Sequence, residues 1–379
     1  MKRILFLIFL SVYTFSMEYK YIEKYEEPNK SNLEFEEGYN KYSPKFSHYI
    51  FTKRAVSVKK EPSDRSKTLL TVGGNKNIQI IAKVSTKHSK WYEVKINKTV
   101  GFVNEKNVLK REFNYEKAIE EIEKLEEFLY KHIDKIYFID CYAPLSYSSG
   151  LKKDKYGNGS NQSITAYEVG TKEHYNLQDR TILSIDSEEK KGYNIKVQAY
   201  PELILNKKYK KNLKKLELDN KFITKYIFID KKNQNIFALM KDNETGNFRV
   251  IINGLITTGK NSKFGFETPL GNFLVAISKP VMTYTSDIDT TKVIGDARYA
   301  IRFTGGAYLH GIPSSYEPKE TRTQRKKITE SKLGTYPLSH KCVRNKDEVV
   351  KILYEWLGVK SKNKAGHRVP IEPVIVIVR

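Results

Sequence analysis

The last third of the chain is dominated by runs of β-branched and aromatic residues that alternate with Gly, Asn and Pro turns. From about Tyr226 these runs read KYIFIDKKNQNIFALM, NFRVIINGLITTGK, TPLGNFLVAI, YAIRFTGGAYLHG and EPVIVIV. Runs of this length and composition, bounded by turn residues, predict the strands of a mixed sheet or sandwich. We therefore expect residues 223–379, the C-terminal domain, to be rich in β structure.

One helix is predicted near the end of the C-terminal domain. In the segment RNKDEVVKILYEWLG, Asn345 and Glu348 have capping-box spacing, and Gly358 is placed to stop the helix. Cys342 lies just before this segment. Because the dipole and free N–H groups of a helix N-terminus favour a thiolate, the sequence predicts an activated cysteine there.

Cys342 is one of only two cysteines among 379 residues, and several roles are open for it. It could be a nucleophile, a buried structural cysteine, half of a disulfide with Cys141, or a zinc ligand with His310 and His340. A nucleophile needs a base, and His310 ends the run GGAYLHG with a glycine after it. A strand end followed by a sharp turn is a sensible place for a catalytic imidazole. The zinc alternative has weak spacing, because it combines His-x-Cys with one distant histidine.

The first residues, MKRILFLIFLSVYTFSMEYKY, have the order of parts in a secretory signal peptide. Lys2 and Arg3 precede an apolar run over residues 4–15, which is shorter than the roughly 20 residues that a membrane span needs. We assign residues 1–16 to a signal peptide and expect export to the periplasm or cell wall. An uncleaved N-terminal anchor is the alternative.

The formal net charge of +23 is spread through the chain. A positive net charge of this size attracts polyanions non-specifically. For an exported protein the anions at hand are envelope polymers and phospholipid head groups, so we expect anionic envelope polymers rather than nucleic acid as partners. Elsewhere no apolar stretch approaches spanning length, and we expect no stable membrane span in the mature chain.

Between the signal peptide and residue 112 the sequence changes character once. Residues 17–47 are charged and tyrosine-rich with little periodicity, which predicts a linker or a loosely packed arm. Residues 48–112 consist of short alternating runs, AVSVKK, TLLTV, NIQIIAKV, KWYEVKI and TVGFV, separated by turn residues. Such runs predict a small all-β barrel of about five strands.

The order of these runs resembles a bacterial Src-homology-3-like domain. The matching stretches are a strand leading to a Pro-Ser turn (56–62), a G..I.I strand (74–81), a WYEV strand (91–94) and a GFV strand (101–103). Such modules bind wall peptides or position a neighbouring catalytic domain. A spacer without a ligand of its own is the alternative.

Residues 113–222, the middle region, are predicted to be of α+β type, and their sequence does not indicate a role. Asn114 caps an amphipathic segment whose apolar positions recur at helical spacing. These positions are Tyr115, Ala118, Ile119, Ile122, Leu125, Phe128 and Leu129. The run KIYFIDCYAPL then predicts a buried strand that contains Cys141, followed by a polar loop and further strands.

Three motifs of the C-terminal domain occur in a set order, TPLGNF (268–273), YLHG (308–311) and SHKCVRN (339–345), before a helix and a last strand. Together they resemble the L,D-transpeptidase (YkuD) family. Its patterns are TPxGxF, a histidine-glycine turn, and (S/T)HGC followed by an apolar residue and then Arg or Asn. The resemblance spans about 226–379 and implies a β-sandwich with a helix after the catalytic cysteine. The whole chain would then be mainly β with α+β elements.

The resemblance implies a role for each matching residue. Cys342 would be the nucleophile and His310 the base, with the backbone carbonyl of Gly311 orienting the imidazole. Backbone N–H groups at Cys342 and its neighbour, helped by Tyr308, would form the oxyanion hole. The residues implied to contact or shape the bound substrate are Tyr308, Ser339, His340, Lys341 and Arg344.

Two features depart from the family pattern. Lys341 occupies the usual position of a glycine, so a backbone with φ > 0 is disfavoured there. Either that conformation is not required, or the oxyanion hole is built differently. The other feature is an insertion between His310 and Cys342 that includes KETRTQRKKITESK. It predicts a lid over the cleft, with an inert surface insertion as the alternative.

The implied reaction is acyl transfer on peptidoglycan, with no metal or organic cofactor. Cys342 would attack the carbonyl of the third residue of a donor stem tetrapeptide and release D-alanine. A side-chain amine of an acceptor stem would take the acyl group from the thioester and give a 3→3 cross-link. Transfer to water would make the enzyme an L,D-carboxypeptidase, and a lipoprotein lysine is a further acceptor in the family. A catalytically inactive wall-binding protein is the remaining alternative.

Overall fold

A computed structural model describes most of the chain, and it is mainly β, with 45% strand and 16% helix. This content confirms the expectation of a mainly β protein. The described residues are 18–25, 33–37, 39–143, 155–157, 162–218, 222–263, 265–286, 288–289 and 291–379. The predicted signal peptide lies outside them. No helix in these ranges is long and apolar enough to cross a membrane.

The chain divides into two compact units. One contains residues 1–26 and 48–111, and the other contains residues 27–47 and 112–379. The middle region and the C-terminal domain therefore belong to one unit.

Up to residue 112 the described chain is built almost entirely from strands. They are β1 (Lys20–Lys24), β2 (Glu34–Phe35), β3 (His48–Thr52), β4 (Val56–Lys59), β5 (Thr68–Val72), β6 (Lys76–Ser85), β7 (Lys90–Ile96), β8 (Thr99–Asn104) and β9 (Val108–Glu112), with a short helix α1 (Tyr39–Tyr42) after β2 and a 3-10 turn at Glu105–Asn107. Strands β3 to β9 form one sheet in the order β5-β4-β8-β7-β6-β3-β9, and β1 pairs with β6.

The five predicted strands are present as β4 to β8, and three further strands join their sheet. Strand β3 is almost wholly buried, so its sequence lacks the alternation of apolar and polar residues that predicts a strand. In strand β9 the buried residue is the charged Arg111, so no alternating apolar run marks this strand. Strand β1 lies in the segment predicted as a linker, and all five of its residues are exposed. Its place is set by backbone pairing with β6, which composition does not reveal.

The middle region consists of one helix and one antiparallel sheet. The elements are α2 (Tyr115–Lys131), β10 (Ile136–Ile139), β11 (Ser163–Glu168), β12 (His174–Gln178), β13 (Ile182–Glu188), β14 (Gly192–Lys196), β15 (Leu203–Asn206) and β16 (Leu213–Lys215), with 3-10 turns at Ile133–Lys135 and Lys207–Asn212. The strand order is β12-β11-β15-β14-β13-β10-β16.

Helix α2 confirms the predicted amphipathic helix. The Asn114 side chain caps it by accepting a hydrogen bond from the backbone N–H of Lys117 at 2.9 Å. The predicted position of Cys141 inside a strand is wrong, because β10 ends at Ile139. The backbone N–H of Cys141 donates instead to the carboxylate of Asp179 at 2.8 Å, so a side chain takes the place of a strand partner.

The C-terminal domain contains two sheets and two helices. Its elements are β17 (Lys225–Asp230), β18 (Asn235–Lys241), β19 (Phe248–Leu255), β20 (Gly271–Leu274), β21 (Ile277–Thr285), β22 (Val293–Thr304), β23 (Ala307–His310), β24 (Ser314–Ser315), α3 (Arg322–Glu330), β25 (Val343–Arg344), α4 (Asp347–Trp356), β26 (Ser361–Lys362), β27 (Arg368–Val369) and β28 (Val374–Val378), with a 3-10 turn at Lys319–Thr321. One sheet has the order β2-β19-β18-β17-β28-β20, and the other has the order β25-β23-β22-β21-β27-β26 with β24 on β22.

The two sheets of the C-terminal domain share one hydrophobic core. Ile227 and Val376 from the first sheet, Ile301 and Leu309 from the second, and Leu353 from α4 are all fully buried in it. Burial of apolar side chains on this scale is the main favourable term in folding. The core therefore fixes the second sheet, and with it the ends of β23 and β25.

Helix α4 follows the cysteine motif, but its start differs from the prediction. The N-cap is Lys346, and the Asn345 side chain donates instead to the carbonyl of Val343 at 3.0 Å. The predicted capping box is therefore wrong. Asp347 in the first turn accepts from the backbone N–H of Ile312 at 2.7 Å, so this carboxylate already has a backbone partner near the helix N-terminus. Gly358, with φ of 64°, ends the helix as predicted.

Candidate active site

Strands β23 and β25 run parallel and define the face on which the candidate site lies. Leu309 is opposite Val343, and His310 is opposite Arg344. Leu309 and Val343 are fully buried in the core. Because successive side chains of a strand point to opposite faces, His310 and Arg344 point away from the core, and so does Cys342 next to Val343.

A cavity of about 400 Å³ opens on this face. Five of the residues predicted from the motifs line this cavity. Those in the lining are His310, Ser339, His340, Cys342 and Arg344. Strand β21 adds Met282 and Tyr284, for which the sequence contained no signal, since alternation alone does not say which face of a strand borders a cavity.

The imidazole of His310 is held by its own neighbour in the chain. Its Nδ1 lies 2.7 Å from the carbonyl oxygen of Gly311. A carbonyl only accepts hydrogen bonds, so Nδ1 carries the proton and Nε2 is left as an acceptor. Burial is the main cause that lowers the pKa of His310 to about 4, against the carbonyl of Gly311, which raises it. At neutral pH this side chain is therefore a neutral imidazole that can accept a proton.

Cys342 is a half-buried thiol whose Sγ lies 3.7 Å from the carbonyl oxygen of Gly306. Burial raises its pKa, while the backbone N–H of Tyr308 and the cations Arg344, Lys341 and Lys279 lower it. The expectation of a thiolate favoured by the helix N-terminus is wrong, because burial outweighs the opposing effects and α4 begins only at residue 347. The resting thiol is protonated, so it needs a base when it reacts.

Both cysteines are free thiols, so the structure contains no disulfide between Cys141 and Cys342. Burial, followed by the charge of Asp179, raises the pKa of the Cys141 thiol far above its ordinary value. Across the described ranges, no group of three His, Cys, Asp or Glu side chains is placed to hold a metal ion. The zinc alternative therefore has no geometric support in that part of the chain.

Arg344 brings a cation to the cavity beside Cys342. Its guanidinium is half-buried, and burial lowers its pKa without making it titratable near neutrality. The buried Nε atom has no hydrogen-bond partner among the described residues. A buried donor of this kind is costly unless a ligand satisfies it.

Ser339 and His340 form part of the cavity wall. The backbone N–H of Ser339 donates to the carbonyl of Thr258 at 3.0 Å, and its carbonyl accepts from Lys260 at 2.8 Å. The carbonyl of His340 accepts from Phe266 at 2.7 Å. The backbone before Cys342 is thus held on both edges, while the His340 side chain remains exposed.

Tyr308 and Lys341 are not among the side chains that line the cavity. The ring of Tyr308 is packed under Lys279, whose Nζ lies 5.3 Å from the ring centre. Lys341 is 3% exposed, and its Nζ lies 3.3 Å from the amide oxygen of Gln178 in the middle region. The φ angle of Lys341 is not positive, so the conformation reserved for glycine is not used here.

The insertion between the two motifs forms the 3-10 turn and helix α3, which borders the cavity. Arg325, Lys326 and Thr329 from α3 contribute to the lining. Arg325 donates to the carbonyl of Ser315 at 3.1 Å, and Lys326 donates to the carboxylate of Asp347 at 2.6 Å. The sequence predicted a lid in this segment. Arg325 and Thr329 are four positions apart and therefore lie on one face of a helix. This spacing is the signal from which the lining residues could have been predicted.

Residues 224–376 match the family model described as YkuD, the L,D-transpeptidase catalytic domain. This match supports a peptidoglycan L,D-transpeptidase-type function for the C-terminal domain. The comparison with curated proteins found no match.

Three solved structures are similar to part of the chain. A fused Zn-dependent amidase/peptidase/peptidoglycan-binding domain-containing protein from Clostridium acetobutylicum is 16% identical, with 43% of this chain and 56% of that chain covered and a TM-score of 0.26. The L,D-transpeptidase LdtMt1 in complex with imipenem is 12% identical, with 57% and 78% covered and a TM-score of 0.27. An L,D-transpeptidase (Yku) from Stackebrandtia nassauensis is 18% identical, with 43% and 60% covered and a TM-score of 0.24. The chain thus spans little more than half of the Clostridium protein, and scores this low do not establish a shared overall fold.

Proposed function

We propose that the protein is a peptidoglycan L,D-transpeptidase in which Cys342 is the nucleophile and His310 is the base. One observation carries this proposal. The parallel pairing of β23 with β25 puts both side chains on one face, in one cavity, with the His310 tautomer fixed by the carbonyl of Gly311. A nucleophile beside a base that a third group orients is the arrangement required for covalent acyl transfer.

The first step is acylation of Cys342. The Nε2 atom of His310 takes the thiol proton as Sγ attacks the carbonyl carbon of the third residue of a donor stem tetrapeptide. The backbone N–H groups around Cys342 stabilise the oxyanion of the tetrahedral intermediate. When the intermediate collapses, the bond to D-alanine breaks, His310 returns the proton to the leaving amine, and a thioester remains on Cys342.

The second step transfers the acyl group. A side-chain amine on the third residue of an acceptor stem attacks the thioester carbonyl, and His310 takes one proton from this amine. The carbon–sulfur bond breaks, the thiol is restored and a 3→3 cross-link is formed. Water in the place of the amine gives a tripeptide, which is the carboxypeptidase reaction, and a lipoprotein lysine is a third acceptor.

Arg344 is the proposed binding partner of a carboxylate on the donor peptide. A stem tetrapeptide ends in the carboxylate of D-alanine, and a guanidinium binds carboxylates through charge-assisted hydrogen bonds. The buried Nε of Arg344 would gain a partner in this complex. Ser339 and His340 shape the adjacent wall, and α3 acts as a lid over the bound peptide.

The remaining parts of the chain are proposed to deliver the enzyme to the cell wall. Residues 1–16 act as a signal peptide, and residues 48–112 are a Src-homology-3-like domain that binds wall peptides or positions the catalytic domain. The strongly basic chain contacts anionic envelope polymers. The protein works in the periplasm or cell wall.

Incubation with a carbapenem, followed by mass spectrometry, tests the proposed function. The wild-type protein and the Cys141→Ser control should each gain one adduct, whereas Cys342→Ser should gain none. Incubation with stem tetrapeptides should then yield dimers for a transpeptidase or tripeptides for a carboxypeptidase. A wild-type protein that forms neither an adduct nor a product would be inactive, and the proposal would be wrong.

A further inference from the structure

Three consecutive residues, the last of β12 and the two that follow it, reach from the middle region into the C-terminal domain. They are Gln178, Asp179 and Arg180, and all three are buried. Arg180, at φ of 70°, donates through Nε to the carbonyl of Leu274 at 3.1 Å. A non-glycine residue in this conformation is strained, and its guanidinium binds backbone of the C-terminal domain. The middle region is therefore joined to this domain through specific buried bonds.

Asp179 extends this junction to the strand end beside the nucleophile. It is fully buried, its carboxylate accepts from Arg302 at 2.6 Å, and its carbonyl accepts from the hydroxyl of Thr304 at 2.6 Å. Arg302 and Thr304 are the last part of β22, directly before the turn that contains Gly306. The carbonyl of Gly306 is the group that lies 3.7 Å from the thiol of Cys342.

The same turn packs against a second residue of the middle region, Gln162, which is 1% exposed. A Cβ atom at Gly305 would lie 2.6 Å from the Cβ of Gln162, and one at Gly306 would lie 2.9 Å from its amide oxygen. Real Cβ atoms do not approach this closely, so Gly305 needs glycine, whereas at Gly306 the buried amide end of Gln162 would have to shift. The middle region thus sets the position of the backbone that the thiol contacts.

Lys341, which precedes the nucleophile, completes the junction. Its ammonium is buried and lies 3.3 Å from the amide oxygen of Gln178, which is itself 5% exposed. The backbone of Lys341 is fixed separately, because its carbonyl accepts from the hydroxyl of Thr268 at 2.8 Å. A buried cation needs polar partners, since removal from water is costly. Gln178 therefore helps to fix where this positive charge lies.

We propose that the middle region is part of the active site, because Gln178 fixes the ammonium of Lys341, the residue directly before Cys342. Gln162 and Asp179 fix the turn whose carbonyl lies 3.7 Å from the same thiol. Lys341 is then a positioning residue that acts through Cys342, and its side chain takes a place that glycine cannot fill. Burial raises the pKa of Cys342, and the smaller opposite effect of the Lys341 charge, which lowers this pKa, agrees with this role. The inference rests on the proposed function only in taking Cys342 as the nucleophile.

The test follows the alkylation rate of Cys342 by iodoacetamide between about pH 5 and pH 10, in the full chain, with peptide mapping to separate it from Cys141. In Gln178→Ala and Lys341→Met we expect the midpoint of the profile to move to higher pH and the rate at neutral pH to fall about fivefold. Lys341→Arg keeps the charge and should restore most of the rate.

Gln198→Ala is the matched control, because Gln198 is also a middle-region glutamine that bonds to the C-terminal domain, at Asn272 rather than near the cysteine. Its profile should equal that of the wild type. Unchanged profiles in Gln178→Ala and Lys341→Met, or an equal shift in Gln198→Ala, would overturn the proposal. If Lys341→Met fails to fold in a thermal melt, Gln178→Ala decides alone.

This readout does not depend on turnover of peptidoglycan. A protein that shows the shift but forms no carbapenem adduct would retain the inference and lose the proposed function. A protein that forms the adduct but shows no shift would retain the function and lose the inference.

Discussion

His310 lies directly opposite Arg344 in a two-residue parallel ladder, and the backbone N–H of Asn345 donates to the carbonyl of His310 at 2.8 Å. This register joins two motifs that are far apart in the chain. A slip of one residue would turn Cys342 into the hydrophobic core and Val343 into the cavity. The relation between the candidate base and nucleophile is therefore set by burial of Leu309 and Val343 as much as by polar contacts.

The low pKa of His310 predicts a loss of stability in acid. Its pKa is about 4 in the folded protein, against an ordinary value of 6.5. Between these values the unfolded state binds more protons than the folded state, so stability falls as the pH decreases from about 6.5 to about 4. The full effect is about 3 kcal/mol. Urea unfolding of the wild type and of His310→Asn at both ends of this range measures it.

Carboxylates also titrate in this pH range. Only the difference between the wild type and His310→Asn therefore reports on His310. The wild type should lose more stability than His310→Asn. Equal losses would show that His310 is not held neutral. His88→Asn, at an exposed histidine in the turn between β6 and β7, should behave as the wild type does.

Replacement of Arg344 should weaken recognition of the donor peptide. Loss of charge-assisted bonds to a carboxylate costs about 2 kcal/mol, so Arg344→Ala should lower kcat/KM about 30-fold. Arg344→Lys should restore little, since an ammonium does not reproduce the planar fork. The measurement compares a tetrapeptide with its C-terminal amide.

The amide already lacks the carboxylate, so Arg344→Ala should change its kcat/KM far less. A similar loss with both peptides would mean that Arg344 does not bind the C-terminal carboxylate. Arg298→Ala, at an exposed arginine of β22 outside the cavity lining, is the control and should leave both values unchanged.

The ion pair between Lys326, which lines the cavity, and Asp347 joins α3 to α4. Both groups are partly exposed, so the contribution is modest. Lys326→Met should make amide hydrogen exchange in α3 about threefold faster. Lys351→Met removes an exposed pair with Glu355 within α4 and should leave exchange in α3 unchanged. No difference between these variants would mean that the pair does not hold the lid.

Two glycines with similar φ angles separate backbone strain from close packing on the middle region. Gly246 (φ 75°) has open space where a Cβ would lie, whereas a Cβ at Gly306 (φ 67°) would meet Gln162. Gly246→Ala should therefore cost only the conformational strain, about 1 kcal/mol. Gly306→Ala should cost about 1 kcal/mol more, because the buried amide end of Gln162 must shift. Denaturant unfolding measures both, and equal costs would mean that the turn is not tightly packed.

Local patterns predicted those features whose causes are local. Asn114 caps α2 because a side-chain oxygen three residues before an N–H can reach it, and Gly358 ends α4 because glycine tolerates positive φ. The same reasoning failed at Asn345, where the side chain has a nearer acceptor in the carbonyl of Val343. Spacing alone could not choose between two local partners.

Long-range contacts set the features that were missed. One partner of Lys341 is Gln178, which is 163 positions away, and no pattern in either segment connects them. The sequence showed that Lys341 replaces the usual glycine but did not show why a lysine is present. The thiolate expected at Cys342 failed for a related reason, since burial by distant elements outweighed the local helix end.

The protonated state of the resting Cys342 also affects its chemical survival. Peroxides and disulfides react with thiolates and hardly at all with thiols. A thiol that burial keeps protonated, in the same cavity as a neutral imidazole, is a poor target for oxidation. Burial thus leaves the thiol of Cys342 less open to oxidation than an exposed thiolate would be.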